Sequence, residues 1–300
     1  TLASRRLPGS GAGPSPDRMV LGSEGTLGIL TEAWMRVRPR PVYRASFTAH
    51  FEALERAIEA VRALSQSGLY PSNCRLLDER EAAINFVAQG KLVLIVAFES
   101  ADHPLEAKVH RAAELVRDHG GEVVSGPHLR EGGAKGSASG EREDGAGIWK
   151  NAFIDAPYLQ NILVSLGVVV DTFETAVTWD GFEALHEAVI RDVRAAMKEA
   201  CGGGFISCRF THIYPDGPAP YYTFIAPGKA GQELKQWETI KRAASDALLA
   251  HGATITHHHA VGRVHKPWYE HQAPKLFQEA LRATKERFDP SGVLNPGILL

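Results

Sequence analysis

Residues 204–226 read GFISCRFTHIYPDGPAPYYTFIA. Aromatic and β-branched residues crowd both ends, as half-buried strands require. The centre, Tyr214 to Pro220, is a Gly/Pro turn with no room for a helix. Two strands joined this directly must run antiparallel, because a parallel return needs a connection of a dozen or more residues. This stretch decides the fold class: α+β, a mainly antiparallel sheet flanked by helices.

The rest of the chain supplies the other parts of that layer. Strand-like runs are SNCRLLD (72–78), KLVLIVAFES (91–100), GGEVVSG (120–126) and GVVVDTFETAV (167–177). Phe51, Leu54, Ile58, Val61 and Leu64 recur at helical spacing before Gly68. Helices are also expected over Leu105–His119, Pro157–Leu166, Gly181–Ala200 and Ala230–His251. MVLGSEGTLGILTEAWMRVRP (19–39) carries a strand signal on each side of its glycines. Residues 130–147, REGGAKGSASGEREDGAG, offer almost nothing to bury and are expected to form a mobile loop.

Composition narrows the function classes. With 300 residues, 44% hydrophobic, there is enough apolar surface for a substantial core. A formal charge of −2 gives no global field for nucleic acid, so none is expected as a partner. Three widely spaced cysteines fit neither a disulfide framework nor a metal knuckle, and a reducing cytoplasm is the simplest compartment. The longest apolar runs are strand-length, so no transmembrane segment is expected. Peripheral membrane contact and a homodimer are both compatible with this composition.

Several short stretches could carry chemistry. Gly22, Gly25 and Gly28 recur every third residue, which suits either a plain turn or close backbone approach to a phosphate. His257, His258 and His259 follow GATIT; in an extended chain His257 and His259 would share one face and His258 the other. Such histidines could bind zinc, move protons or form a solvated turn. A third ligand is not evident at metal-site spacing, and LHEAVIR (185–191) has Ile190 where a zinc-protease motif needs histidine. Tyr221 and Tyr222 sit beside a turn with His212 and Asp216, where a tyrosine is either a strand-packing residue or a proton donor and acceptor. Arg75 and Arg209 lie inside apolar strand patterns and need an anion, either an internal carboxylate such as Asp78 or Glu174 or a ligand's carboxylate or phosphate.

Taken in order, GSEGTLGILTEAW (22–34), CRLLD (74–78), DTFETAVTWD (171–180), SCRFTHIY (207–214), HHHAVGRVHKPW (257–268) and FDPSGVLNPGILL (288–300) resemble the vanillyl-alcohol-oxidase-type flavoproteins with an FAD-linked oxidase C-terminal domain. Within that superfamily they look most like the alkylglycerone-phosphate synthases. The resemblance implies FAD as cofactor, with Glu24, Gly25, Thr26, Leu27, Gly28, Ile29 and Leu30 lying along it. It implies Tyr221 as general acid/base, with His257, His258, His259 and Arg75 also needed for activity, and no metal. The reaction it implies exchanges an acyl for an alkyl group on a dihydroxyacetone-phosphate-like substrate through a flavin adduct, so the substrate would be a small or lipid-like molecule.

Arg209 is expected to contact that substrate, and Gln160 stands where the synthases place a phosphate-binding arginine. A neutral amide forfeits the charge-assisted fork. The superfamily also carries an N-terminal FAD-binding domain, so residues 1–41 are expected to be its C-terminal remnant. Residues 42–300 would then be the substrate-binding cap, with a tail from about 289 returning toward the FAD domain. Two other readings stay open: an FAD-dependent 2-hydroxy-acid dehydrogenase of the D-lactate type, and a non-catalytic cap fragment. Tyr221 falls near where the dehydrogenases would place a metal-binding histidine, and a phenol is a poor zinc ligand beside imidazole.

Overall fold

The computed structural model describes residues 1–4, 6, 9, 11–132 and 158–300. Most of the expected loop at 130–147 and the start of the helix expected at Pro157 lie outside these residues. Arg130 and Glu131 correct that loop's boundary: they end a strand, paired with Arg44 and Tyr43. The described residues group into two compact units, one of residues 39–253 and one of residues 1–38 with 254–300. The grouping differs from a cut after residue 41, because the C-terminal 47 residues pack with the N-terminal segment.

The larger unit is built on a seven-stranded sheet. In chain order the strands are β1 (Tyr43–Phe51), β2 (Asn73–Leu77), β3 (Leu92–Ser100), β4 (Glu122–Glu131), β5 (Val168–Glu174), β6 (Phe205–Ile213) and β7 (Pro218–Pro227). They lie in the order β4-β1-β3-β2-β6-β7-β5, and every neighbouring pair is antiparallel. The β6–β7 hairpin is the one read from residues 204–226; Tyr214 and Gly217 exchange both backbone hydrogen bonds across its turn.

Helices are α1 (Pro16–Val20), α2 (Leu54–Gln66), α3 (Glu79–Ile84), α4 (Glu106–Asp118), α5 (residues 158–165), α6 (Phe182–Cys201), α7 (Glu233–Ala250), α8 (Lys266–Gln272) and α9 (Lys275–Phe288). Phe51 belongs to β1, and α2 starts three residues later than its periodicity suggests. The residue fits either pattern, and its pairing with Leu92 decides. The strands expected around residues 19–39 do not form: α1 takes up the start, and Ile29, Leu30, Trp34, Met35 and Val37 are exposed. An apolar run becomes a strand only when its backbone groups find a partner, and no described strand pairs with this one.

The pleat gives the sheet two unlike faces. Ala49, Phe51, Leu94, Leu76, Phe210, Tyr222, Phe224 and Phe173 are buried on one side, covered by α2, α4, α6 and α7. The other side carries a small apolar cluster where Ala82 of α3 packs on Leu77, Val93 and Ile95. Farther along it, Ser207, Arg209, Tyr221, Thr223 and Thr172 alternate with those core residues. Gly217 holds the hairpin turn close to the chain after β5. A Cβ there would meet the Val177 carbonyl oxygen at 1.9 Å and Thr178 Cα at 2.9 Å. Gly217→Ala is therefore expected to cost on the order of 1–3 kcal/mol, read as a lower urea midpoint with an unchanged slope.

Behind the sheet, Asp78 and His186 line one small crevice with Leu54, Leu76, Phe182, Cys208 and Phe210. His186 Nδ1 meets the Tyr222 hydroxyl at 3.2 Å, and burial, helped by Arg194, pulls its imidazole down to about 4. Asp78 caps α3, accepting from Glu81 N at 2.6 Å and Cys208 N at 2.7 Å. Those bonds favour its charged form, yet burial outweighs them and pushes its carboxyl up to about 7.

The two groups tilt the stability curve in opposite senses. Between pH 4 and 6.5 the unfolded chain binds a proton that folded His186 refuses, so stability from this group rises with pH. From pH 3.8 to 7 folded Asp78 keeps a proton that the unfolded chain releases, so stability from this one falls. Each is on the order of 3 kcal/mol over its window. His186→Phe should leave a protein that weakens from pH 4 to 7, and Asp78→Asn one that strengthens; denaturant titrations across that range measure both slopes.

Candidate functional site

The larger unit brings Tyr221, Arg209 and Arg75 to the polar side of the sheet. Arg209 and Tyr221 are register partners on β6 and β7, so their side chains rise together. The guanidinium carbon of Arg209 stands 4.0 Å from the centroid of the Tyr221 ring, a cation–π contact. The phenol donates to Thr172 Oγ1 at 2.9 Å. Arg209 is ion-paired with Glu81 through Nη1. Its Nε is buried and without a hydrogen-bond partner among the described residues.

Arg75 precedes Leu77 by two residues, and Leu77 is the register partner of Arg209, so both arginines share this face. Arg75 Nε donates to Asn73 Oδ1 at 3.0 Å. Burial and then the like charge of Arg209 pull the Arg75 guanidinium down to about 10. Gln160 on α5 donates to the Val170 carbonyl at 3.4 Å, on the open edge of β5. Its amide nitrogen is thus engaged with backbone. The sequence reading missed Glu81 and Thr172. Asp78 followed three residues later by Glu81 is a capping-box spacing that would have located α3.

The smaller unit carries the flavin segment and the histidine run. Gly22 and Gly25 adopt φ of +82° and +77°, and an added Cβ at Gly22, Gly25 or Gly28 would meet nothing within 4 Å. Thr26 and Leu27 are buried, while Ile29 and Leu30 are exposed. Bare, open backbone over 22–28 anchored by two buried side chains fits one edge of a planar cofactor's seat. Glu24, with φ of +51°, turns its carboxylate to the backbone: Val261 N donates at 2.6 Å and Gly262 N at 2.9 Å. Its own carbonyl accepts from Asn295 Nδ2 in the tail.

That clamp corrects the expected geometry of the histidines. The backbone bends over residues 257–259, and His257 and His258 stand together, with rings edge to face at 4.1 Å and Nδ1 atoms 3.2 Å apart. His259 N donates to Thr256 Oγ1 at 3.2 Å, and Ala260 takes φ of +66°. These local bonds, with Glu24 pulling the next two amides, override the extended form that would have paired His257 with His259. Beside the run lies an open pocket of about 380 Å³ lined by Ile255, Val261, Tyr269, Ala273, Pro274 and Phe277 among others. Burial, then the charge of Glu24, raises the Tyr269 phenol above its ordinary value.

The alkyldihydroxyacetonephosphate synthase of Dictyostelium discoideum is 26% identical over 310 residues, covering 100% of this chain and 51% of that protein. Glycolate oxidase subunit GlcD of Bacillus subtilis is 26% identical over 293 residues, covering 95% of this chain and 57% of that protein. A solved alkyldihydroxyacetonephosphate synthase superposes with a TM-score of 0.70 at 19% identity, covering 93% of this chain and 49% of that one. The chain thus spans about half the length of these proteins. The family described as "FAD linked oxidases, C-terminal domain" matches residues 40–299. By sequence and by sheet architecture alike, this chain belongs to the FAD-linked oxidase C-terminal domain family, whose members work with flavin.

Proposed function

We propose that the chain is the substrate-binding part of an FAD-dependent enzyme of the alkyldihydroxyacetonephosphate synthase type, with Tyr221 as the proton-transfer residue. One observation carries this reading: Tyr221 stands on the polar side of the sheet, its ring under a guanidinium and its hydroxyl on Thr172. A tyrosine there for packing alone would face the helices, as Tyr222 does. When bound, FAD supplies an electron-accepting ring system next to which substrate carbon can be activated.

The chain's own residues handle position and protons. Tyr221 gives and takes the proton at its hydroxyl, with Thr172 Oγ1 orienting it. The histidine run supplies further hydrogen-bond donors and acceptors. Arg75 and Arg209, two like charges on one face, favour an anionic group of the substrate, which relieves their repulsion. Gln160, its amide nitrogen already on Val170, offers its carbonyl oxygen and gives a phosphate little. The pocket beside the histidines has an apolar part, Ile255, Val261, Ala273, Pro274 and Phe277, and a size within the range of ligand sites, which suits an alkyl chain and peripheral contact with a membrane. No helix among the described residues is long and apolar enough to cross one.

The identity to a glycolate oxidase subunit supports a second reading, oxidation of a 2-hydroxy acid. The full-length, flavin-loaded protein separates the two. Alkyl exchange on an acyl-dihydroxyacetone phosphate without reduction of a dye acceptor supports the synthase. Dye reduction with lactate or glycolate and no exchange replaces it with the dehydrogenase.

A further inference from the structure

Glu81 stands out among the buried charges. It lies in the first turn of α3 and is 2% exposed. One carboxylate oxygen accepts from Ser207 Oγ at 2.5 Å, and the other is ion-paired with Arg209. Ser207 and Arg209 are alternate residues of β6, so the carboxylate grips two successive side chains of the polar face. Arg209 is thereby held at its tip, and its plane rests on Tyr221.

We propose that Glu81 is a positioning residue for Tyr221, acting through Arg209; the proposal rests on the proton-transfer role of Tyr221 given above. An arginine side chain left to itself samples many rotamers. Bound to a carboxylate that Ser207 orients in turn, it is confined to one, and the phenol beneath it is fixed at two points, its ring under Arg209 and its hydroxyl on Thr172. The charge of Glu81 is required. Glutamine could still accept from Ser207, but its amide would face the guanidinium with hydrogens or with a neutral oxygen, and a charge-assisted bond is about twice as strong as a neutral one. Packing of Ala82 on Leu77, Val93 and Ile95, with the Asp78 cap, attaches α3 to the sheet independently of Glu81.

The test uses the full-length, flavin-loaded enzyme with Glu81→Gln, Tyr221→Phe and their combination. Glu81→Gln should lower kcat on the order of tenfold, the scale of one charge-assisted hydrogen bond. In the Tyr221→Phe background it should lower kcat no further. Equal losses in the two backgrounds would mean that Glu81 acts elsewhere, and would overturn the proposal. A second readout needs no turnover: the ¹³C-tyrosine spectrum, in which the signal missing from Tyr221→Phe is that of Tyr221. Glu81→Gln should shift that ring signal. An unmoved signal overturns the positioning role, whereas a shifted signal with full activity in Tyr221→Phe removes only the proton-transfer reading. Should Glu81→Gln fail to fold, Ser207→Ala loosens the same carboxylate, with a smaller shift in the same direction expected and no shift counting against the proposal.

Discussion

Tyr221→Phe is expected to lower kcat of the flavin-loaded, full-length enzyme by about 10²–10⁴-fold, the range that a positioned acid/base group contributes. The substitution removes one oxygen atom and leaves the ring, so the stack under Arg209 and the hairpin register survive. KM should move little, because the loss falls on the transition state. The hydroxyl's present partner is Thr172, whose own hydroxyl is left with water or a neighbour, so stability should change by about 1 kcal/mol or less. Steady-state kinetics beside thermal melts measure the two effects separately. Undiminished turnover in a well-folded variant would remove Tyr221 from the chemistry.

Arg209→Met should cause the largest loss of stability among single changes on the polar face. It leaves the Glu81 carboxylate, 2% exposed, without its cation in a place water hardly reaches. Breaking a buried ion pair from one side costs about 3–5 kcal/mol, which for a unit of this size lowers Tm by about 10 °C. Converting Glu81 to Met as well should return most of that stability, since two apolar groups need no pairing, but it should not return activity. Melting curves of the two variants beside the parent decide: a single variant as stable as the parent would show that the pair contributes nothing.

The hairpin at 204–226 was legible because its turn is too short to allow anything but antiparallel pairing. The helices were legible through apolar positions that α2, α4 and α6 do bury, such as Val61, Val109 and Leu185. What failed to show was whatever depends on a partner distant in sequence. The apolar residues at 29–37 look like strands, yet no described strand pairs with them. The histidine run looked extended because its local residues permit that; it is bent by a bond to Thr256, and the two amides that follow Ala260 are held by a carboxylate 237 and 238 residues away.

Site residues divided along the same line. Residues whose type is unusual in a strand, such as Arg75 and Arg209, announced themselves. Tyr221 and Tyr222 did not, because either phenol suits a strand. Only the parity of the pleat, one toward Arg209 and the other toward His186, tells them apart. Glu81 was hidden as an ordinary acidic residue in DEREAA, since its meaning lies across 126 and 128 residues of chain, in Ser207 and Arg209.

The two adjoining phenols also set how this region tolerates changes in length. Removing a single residue from β7 ahead of the pair would turn each to the opposite face, presenting Tyr222 to the arginine and moving Tyr221 to the helical side in the place of Pro220. Between residues 209 and 221, odd-numbered insertions or deletions within the strands therefore invert the surface. Alignments of relatives should keep that spacing even where little identity remains.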